Sequence, residues 1–223
     1  MKIEDIREKL NPEFYKRIVS FGITDLRPSQ EKSVNRGLLD GNNVLVCTPT
    51  ASGKTFVAEL AMINQIANKG VKAIYVAPFK ALASEKFKQM SSRYHGLARI
   101  AISTGDLDSN SPSLSKYDLI ICTQEKLDSL LRHNSPWVDD VKVAVFDEIH
   151  LINDESRGPT LEIIITLLRE KIKNIQIIGL SATIGNPKEL ASWLDAELIE
   201  DNWRPVKLEK GILTDNRLYF YKI

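Results

Sequence analysis

Short apolar runs alternate with longer amphipathic segments along most of this chain. The runs that read as strands occupy residues 43–47, 72–77, 99–103, 118–122, 141–146 and 175–180. Each run is nearly continuous in apolar residues, as expected for strands of a parallel sheet that helices cover on both faces. The pattern therefore predicts an α/β fold with a mostly parallel central sheet.

Polar or glycine-containing segments follow the predicted strands. They comprise residues 48–55, 78–80, 104–106, 123–126, 147–150 and 181–183. Ligands of open parallel sheets bind outside the carboxyl ends of the strands, where the loops leaving those ends share one edge of the sheet. We therefore expect the chemistry of this protein to be concentrated at that edge.

The chain before the first strand, residues 1–42, predicts a helical N-terminal appendage. Within it, Ser29 is placed to cap a helix that runs to about Leu39. The sheet domain is expected to span residues 43–203, and residues 204–223 are expected to add strands at 205–208 and 218–221. Trp137 follows a proline and is expected in a surface loop.

The segment after the first strand has the features of a phosphate-binding loop. Its residues are Thr50, Ala51, Ser52, Gly53, Lys54 and Thr55. The loop opens a predicted helix at residues 56–68, so backbone N–H groups, the positive end of a helix and Lys54 converge on one ligand. The Thr55 hydroxyl is expected to coordinate Mg²⁺. The strict pattern begins with glycine where this chain has Thr48, and a chance Gly-Lys-Thr turn is the alternative.

A carboxylate pair, Asp147 and Glu148, ends the fifth predicted strand. Asp147 can hold Mg²⁺ through water, and Glu148 can polarise the water that attacks a phosphate, with Lys54 as the third catalytic residue. The alternative is that the pair caps the helix that follows. Together with the phosphate-binding loop, the pair predicts a site for ATP and Mg²⁺.

Composition and charge limit the possible functions. With 43% hydrophobic and 26% charged residues, the 223-residue chain is ordinary globular material, for which one domain is the default. Thirty basic residues nearly balance 29 acidic ones, so no overall field attracts nucleic acid or an acidic membrane. Any binding of nucleic acid is therefore expected to be local.

The cysteines and the N-terminal sequence give no sign of a metal site or of a targeting signal. Cys47 and Cys122 each end an apolar run, and no Cys/His spacing is typical of a metal site. The N-terminus lacks a signal-peptide core, and no apolar stretch approaches the roughly 20 residues that a membrane span requires. We expect a soluble, cytoplasmic protein without a membrane partner.

Three segments carry a family resemblance. Thr-Pro-Thr-Ala-Ser-Gly-Lys-Thr at residues 48–55, Asp-Glu-Ile-His at 147–150 and Ser-Ala-Thr at 181–183 resemble motifs I, II and III of the superfamily 2 DExH-box helicases. Within that superfamily, residues 81–86, 157–162, 182–187 and 203–206 are most similar to archaeal HelQ-like DNA helicases. The resemblance implies a RecA-like motor lobe.

The resemblance also implies a role for Gln30, at the adenine edge of ATP. A carboxamide donates and accepts at once, which suits adenine. Phe21 or Leu26 is then expected to pack on the purine. The alternative is that Gln30 is a solvated residue in the first turn of a helix.

Other motif residues are implied to contact nucleic acid or to couple the two sites. The residues matching the nucleic-acid track of the family are Lys80, Thr104, Gly105, Thr123 and Lys126, with Asp106 beside them and Arg157 at the start of a predicted helix at 157–171. Helix N-termini with hydroxyls or lysines grip phosphates without reading bases, although the same segments could be ordinary strand-to-helix turns. His150, Ser181 and Thr183 are implied to couple nucleotide to nucleic acid, although His150 could be a half-buried polar residue of its helix.

The resemblance implies a motor in which ATP binds between two RecA-like lobes. Motifs of a second lobe do not follow Thr183, so we expect the first lobe of a longer DNA helicase. The resemblance implies that this helicase binds single-stranded or forked DNA and unwinds in the three-prime to five-prime direction. An arginine finger from the second lobe is worth about 10³ to 10⁵ in rate, so the lobe alone is expected to be a very weak ATPase. The alternatives are an RNA helicase lobe, another P-loop motor ATPase, or a non-catalytic nucleic-acid-binding module.

Overall fold

A seven-stranded parallel sheet forms the centre of the molecule. The computed structural model describes residues 1–105, 112–133, 135–207, 209–214 and 217–221. The strands are β1 (Val44–Cys47), β2 (Lys72–Ala77), β3 (Ile100–Ser103), β4 (Leu119–Thr123), β5 (Val141–Phe146), β6 (Gln176–Ser181) and β7 (Glu197–Glu200). They lie in the order β3-β4-β2-β5-β6-β1-β7 with every pairing parallel. The α/β prediction is confirmed.

Helices cover both faces of the sheet. They are α1 (Pro12–Ser20), α2 (Pro28–Asn35), α3 (Lys54–Lys69), α4 (Lys80–Arg93), α5 (Gln124–Arg132), α6 (Gly158–Lys171) and α7 (Pro187–Leu194). Successive strand residues point to opposite faces: Val46 packs in the core cluster with Leu60 of α3, whereas Leu45 packs in the opposite cluster with Ile164 of α6. Because both faces are buried, the strands read as continuous apolar runs.

The N-terminal residues pack directly onto α3. Phe14 and Ile18 of α1 are fully buried in the same core cluster as Leu60. The Asn11 side chain caps α1, and the Asn11 main chain donates to Asn64 Oδ1 at 2.8 Å. Residues 1–42 thus share the core of the sheet, and the proposed division of the chain at residue 42 stays a prediction.

The helix expected to reach Leu39 ends earlier. α2 stops at Asn35, and a short 3-10 turn follows at Leu38–Asp40. Between them Gly37 has a φ of +83°, and a Cβ atom there would lie 2.3 Å from Asn42 Nδ2. A continuous right-handed helix cannot include the positive φ of Gly37, so the helix ends before this residue.

The C-terminal segment departs further from expectation. Residues 205–207 form no strand, and residue 208 lies outside the described residues, so the strand predicted at 205–208 is not borne out over its described part. An antiparallel hairpin follows instead, made of β8 (Lys210–Thr214) and β9 (Arg217–Tyr221). The second of these covers the strand predicted at 218–221. β7 was not expected, because its Glu-Leu-Ile-Glu sequence is too short and too charged to stand out.

Trp137 is buried, so its placement in a surface loop is wrong. It is 3% exposed in a 3-10 turn, Pro136–Asp140, and packs in the cluster that contains Leu127 of α5. Separately, no helix among the described residues is long and apolar enough to cross a membrane.

Candidate nucleotide-binding site

The loop between β1 and α3 has the backbone shape of a phosphate cradle. Gly53 has a φ of +96° and directly precedes α3. Residues other than glycine rarely adopt this φ, and a Cβ atom at that position would also lie 2.5 Å from Gln30 Nε2. The Phe56 N–H donates to Gly53 O at 3.1 Å. The N–H groups of Lys54 and Thr55, at the start of α3, have no acceptor in a preceding helical turn and can bind an anion.

Thr48 replaces the first glycine of the strict pattern without opening the loop. Its side chain is fully buried, and its Oγ1 lies 2.7 Å from Ser52 Oγ. Its main-chain N–H donates to Ser181 O at 3.2 Å, which ties the loop to the end of β6. Thr48 thus stabilises the loop through buried contacts with Ser52 and Ser181.

The Lys54 ammonium lies across the mouth of the loop. It donates to the carbonyl oxygens of Thr48, at 2.8 Å, and of Pro49, at 3.2 Å. Burial lowers the pKa of Lys54, and the negative charges of Glu148 and Asp147 oppose that shift. The loop that carries Lys54 follows β1 and the carboxylate pair follows β5, so both lie at the carboxyl edge of the parallel sheet.

Both carboxylate oxygens of Asp147 are held. Oδ2 accepts from the Tyr75 hydroxyl at 2.5 Å, and Oδ1 accepts from the Glu148 main-chain N–H at 3.0 Å. Tyr75 is fully buried, and burial, reinforced by the charge of Asp147, raises its pKa well above the ordinary tyrosine value. Sequence reasoning missed Tyr75, since a tyrosine inside an apolar strand signals only core packing.

Glu148 has a left-handed backbone, with φ 49° and ψ 45°. Non-glycine residues rarely adopt this conformation, and strained residues cluster at functional sites. Glu148 precedes a 3-10 turn, Ile149–Asn153, but its side chain makes no capping hydrogen bond there. The Glu148 side chain therefore gives no support to the alternative that the carboxylate pair caps the following helix.

His150 joins Glu148 to the end of β6. Its Nδ1 lies 3.3 Å from Glu148 Oε2 and 3.4 Å from Ser181 Oγ. Ser181 is fully buried. Thr183 is exposed and lines a separate cleft of about 400 Å³ that also contains Cys47 and Trp203. Two of the three residues expected to couple the sites are thus in contact.

Gln30 is buried rather than solvated, so the alternative of a solvated helix residue is wrong. It is 4% exposed, accepts from the Arg27 main-chain N–H at 2.9 Å and donates to Gly53 O at 3.1 Å. It therefore fastens the start of α2 to the phosphate-binding loop. Its contact with adenine stays a prediction.

A cleft of about 550 Å³ opens beside Gln30 and the loop. Its walls include Gln30, Gly53 and Thr55 on one side and Lys86 and Arg93 of α4 on the other. Of the two residues expected to pack on a purine, Leu26 is buried in the core, at 6% exposure. Phe21 is exposed, and its ring lies 5.1 Å from the Arg93 guanidinium.

The α4 wall of the cleft was missed by sequence reasoning. Lys86 Nζ donates to Thr55 Oγ1 at 3.1 Å. The fully buried Glu59 accepts from Arg93 Nη1 at 2.7 Å and from the Tyr94 hydroxyl at 2.5 Å. Residues 81–86 carry part of the family resemblance, but no local pattern marks the contacts of Lys86 or Glu59, because both contacts join two different helices.

The residues expected to touch nucleic acid differ in exposure. Lys80 is exposed at the start of α4, and the half-buried Arg157 packs 4.3 Å from the ring of Phe79. Thr104 is half-buried and Gly105 exposed, whereas Asp106 lies outside the described residues.

Thr123 and Lys126 sit deeper than expected for a surface track. Thr123 caps α5 by accepting from the Lys126 main-chain N–H at 3.4 Å. The two residues are only 3% and 5% exposed. Their contacts with nucleic acid stay predictions, and the structure places both side chains below the surface.

The donor set fits Mg²⁺. Thr55 Oγ1 and the Asp147 carboxylate are oxygen donors, which this hard cation prefers. Among the described residues, no group of three or more His, Cys, Asp or Glu side chains is placed to hold a metal. Mg²⁺ is usually bound by one or two carboxylates together with substrate phosphates.

Fold and site together define a RecA-like nucleotide-binding domain, in which a phosphate-binding loop follows β1 and a carboxylate pair follows β5. The sequence profile of the DEAD/DEAH box helicases matches residues 27–190. This chain belongs to the DEAD/DEAH box helicase family.

Similar curated proteins are archaeal. The ATP-dependent DNA helicase Hel308 of Methanocaldococcus jannaschii is 58% identical over 208 residues, which cover 90% of this chain and 17% of that protein. Hel308 of Pyrococcus horikoshii is 50% identical over 214 residues, covering 95% of this chain and 29% of that protein. The chain thus spans less than a third of the length of these relatives.

A similar solved structure is the DUF1998 helicase MrfA bound to DNA and AMPPNP. Its TM-score is 0.76 at 26% sequence identity, and the match covers 87% of this chain and 30% of that one.

Proposed function

We propose that this chain is the ATP- and Mg²⁺-binding first motor lobe of an ATP-dependent DNA helicase. The observation that carries the proposal is the placement of the Lys54 loop after β1 and of Asp147 and Glu148 after β5, at the same carboxyl edge of the parallel sheet. The identity to Hel308 proteins over most of the chain supports DNA as the nucleic acid.

Residues of the loop would bind the polyphosphate. Gly53 and the N-terminus of α3 present backbone donors, and Lys54 can exchange its carbonyl partners at Thr48 and Pro49 for phosphate oxygens. Gln30, already bonded to Gly53 O, is proposed to read adenine with its remaining donor and acceptor capacity. Thr50, Ala51 and Ser52 complete the cradle.

Thr55 and Asp147 are the proposed ligands of Mg²⁺. The ion, when bound, would neutralise charge on the phosphates. Tyr75 and the Glu148 main chain hold both oxygens of Asp147, which fixes the direction in which its free lone pairs point.

Glu148 is the proposed residue that polarises the attacking water. Its left-handed backbone and its contact with His150 determine where the carboxylate points. His150 and Ser181 would pass a change at this carboxylate to the end of β6, and Thr183 would carry it on. Such coupling requires a second arrangement of these residues when the γ-phosphate is present.

The proposed nucleic-acid track comprises Lys80, Thr104, Gly105, Thr123, Lys126 and Arg157. Lys80 begins α4, and the Arg157 guanidinium lies beside the two residues that precede it, 3.4 Å from Pro78 O and 4.3 Å from the ring of Phe79. Phosphate contacts of this kind would hold single-stranded or forked DNA without reading its sequence. Movement in the three-prime to five-prime direction is part of the proposal through the resemblance alone.

A second RecA-like lobe is proposed as the partner that completes the site. In this proposal residues 1–42 carry the adenine motif, residues 43–203 form the lobe, and residues 204–223 lead toward the second lobe. Arginine fingers contribute about 10³ to 10⁵ in rate. The lobe alone should therefore bind ATP and turn it over near background.

Isothermal titration calorimetry with ATP and Mg²⁺ tests the nucleotide site. We expect residues 1–223 to bind ATP, Lys54→Ala to abolish binding, and Lys69→Ala, at the other end of α3, to leave it intact. Absence of ATP binding by the unaltered chain would refute the proposal.

Hydrolysis and nucleic-acid preference test the rest. A phosphate-release assay on residues 1–223 should show near-background turnover with or without single-stranded DNA. Robust DNA-stimulated turnover would disprove the need for a second lobe. Tighter binding of RNA than of DNA of equal sequence and length would replace DNA with RNA in the proposal.

A further inference from the structure

We propose that Lys86 is a positioning residue of the metal site, which fixes the Thr55 hydroxyl for Mg²⁺ by donating a hydrogen bond to it. The inference rests on the proposed function. It assigns a role to a residue that lies outside the phosphate-binding loop, in the second turn of a neighbouring helix.

The hydrogen bond from Lys86 is made to the Thr55 side-chain oxygen. Lys86 Nζ lies 3.1 Å from Thr55 Oγ1, the oxygen proposed to coordinate Mg²⁺. A threonine side chain can adopt more than one χ1 rotamer, and each rotamer directs its hydroxyl differently. A donor on α4 favours the rotamer that keeps Oγ1 facing the cleft.

The bond also directs the oxygen that remains. A hydroxyl oxygen has two lone pairs and one proton, whereas an ammonium only donates. Lys86 therefore occupies one lone pair of Thr55 and leaves the other, together with the proton, in fixed directions. A metal ligand gains affinity when its coordinating lone pair is oriented in advance by a partner of this kind.

Lys86 is itself held by its surroundings. Ala83 and Met90, on the same helix, are fully buried in the core cluster that α3 shares, so the backbone of α4 is fixed relative to Thr55. The charge of Lys86 also reaches Glu59, one turn beyond Thr55. Burial raises the pKa of Glu59, and Tyr94, Arg93 and Lys86 oppose that rise.

Lys88 offers a matched control on the same helix. It is exposed and is not among the residues that line the cleft, whereas Lys86 is half-buried in the cleft wall. Replacing either lysine by methionine removes one positive charge and keeps the length of the side chain. Any difference between the two variants therefore reports position rather than net charge.

The test measures AMPPNP affinity by calorimetry, with Mg²⁺ and again with EDTA. Lys86→Met should weaken binding about tenfold more than Lys88→Met when Mg²⁺ is present. With EDTA the two variants should bind alike. Lys86→Arg, which keeps a charged donor, should recover most of the loss, and circular dichroism melting checks that each variant folds.

A double-mutant cycle with Thr55→Val decides how Lys86 acts. If Lys86 works through the hydroxyl, Lys86→Met should cost little further affinity once Thr55 is valine. An equal loss in both backgrounds would overturn the inference in favour of a direct phosphate contact, and no loss in either would remove Lys86 from the site. If Lys86→Met unfolds, Lys86→Gln takes its place in the cycle. Failure of the unaltered chain to bind AMPPNP would instead refute the proposed function.

Discussion

The hydrogen bond between Tyr75 and Asp147 allows the effect of Tyr75→Phe on stability to be predicted. Tyr75→Phe removes one hydroxyl from a fully buried side chain and leaves the ring, so no cavity opens beyond the missing oxygen. Hydrogen bonds to charged groups contribute about 1.5–3 kcal/mol. Asp147 is half-buried and keeps its bond from the Glu148 main chain, which favours the lower end of that range.

We therefore expect Tyr75→Phe to lower the free energy of unfolding by about 1.5 kcal/mol at neutral pH. For a chain of this size that corresponds to a fall of about 3–6 °C in Tm. Urea denaturation measures the first quantity and calorimetry the second. The matched control is Tyr219→Phe on the exposed β9 hairpin strand, which should change neither.

The same variant should change the alkaline stability profile. The pKa of Tyr75 is raised by burial, above a model-peptide value of 10.0. Above about pH 10 the unfolded chain loses the proton of the Tyr75 hydroxyl, whereas the folded chain keeps it. The free energy of unfolding therefore decreases as the pH rises above that value. The expected contribution is about 1.4 kcal/mol per pH unit for one such group.

Tyr75→Phe removes that contribution, so its stability should fall less steeply above pH 10 than that of the unaltered chain. Burial and the charge of Glu59 also raise the pKa of Tyr94. Tyr94 therefore causes a second, independent loss of stability at alkaline pH, which is the same in both proteins. Identical alkaline slopes for the two proteins, or an unchanged neutral stability, would refute the reasoning about the Tyr75 hydroxyl.

Two further predictions concern the backbone. Gly158→Ala should destabilise the fold by about 1–3 kcal/mol in urea denaturation, because its Cβ would lie 2.1 Å from Ile152 O, whereas Gly185→Ala, with nothing within 4 Å, should be nearly neutral. Among variants that remove the Glu148 carboxylate, Glu148→Gly should be more stable than Glu148→Ala by about 1 kcal/mol, since only glycine adopts φ 49° without strain. Equal stabilities within either pair would contradict these expectations.

Much of the sheet could be predicted, since burial on both faces leaves continuous apolar runs at β1 to β6. β7 could not, because it lies at the edge of the sheet beyond β1 and carries a glutamate at each end. Trp137 was misplaced for a related reason. A proline-led turn reads as a loop, and only tertiary packing, in the core cluster that also contains Leu127 of α5, buries the ring.

The phosphate-binding role of residues 50–55 could be predicted because a single stretch of sequence carries the glycine, the lysine and the hydroxyl. Gln30 shows the limit of that approach. Its burial depends on Gly53 O, 23 positions away, and a helix-start pattern gives no sign of it. Contacts of Lys86 with Thr55 and of Tyr75 with Asp147 lie 31 and 72 positions apart and are likewise absent from any local pattern.

The Tyr75 contact does follow from strand order. β2 and β5 are neighbours although two other strands separate them in the chain, and Tyr75 lies opposite Val145 in their register. Residues two apart on a strand share a face, so the position after β5 that points the same way as Val145 is Asp147. A hydroxyl at position 75 is therefore delivered to the carboxylate by the register itself. The order of the strands, more than any motif, determines which buried side chain supports Asp147, the proposed ligand of Mg²⁺.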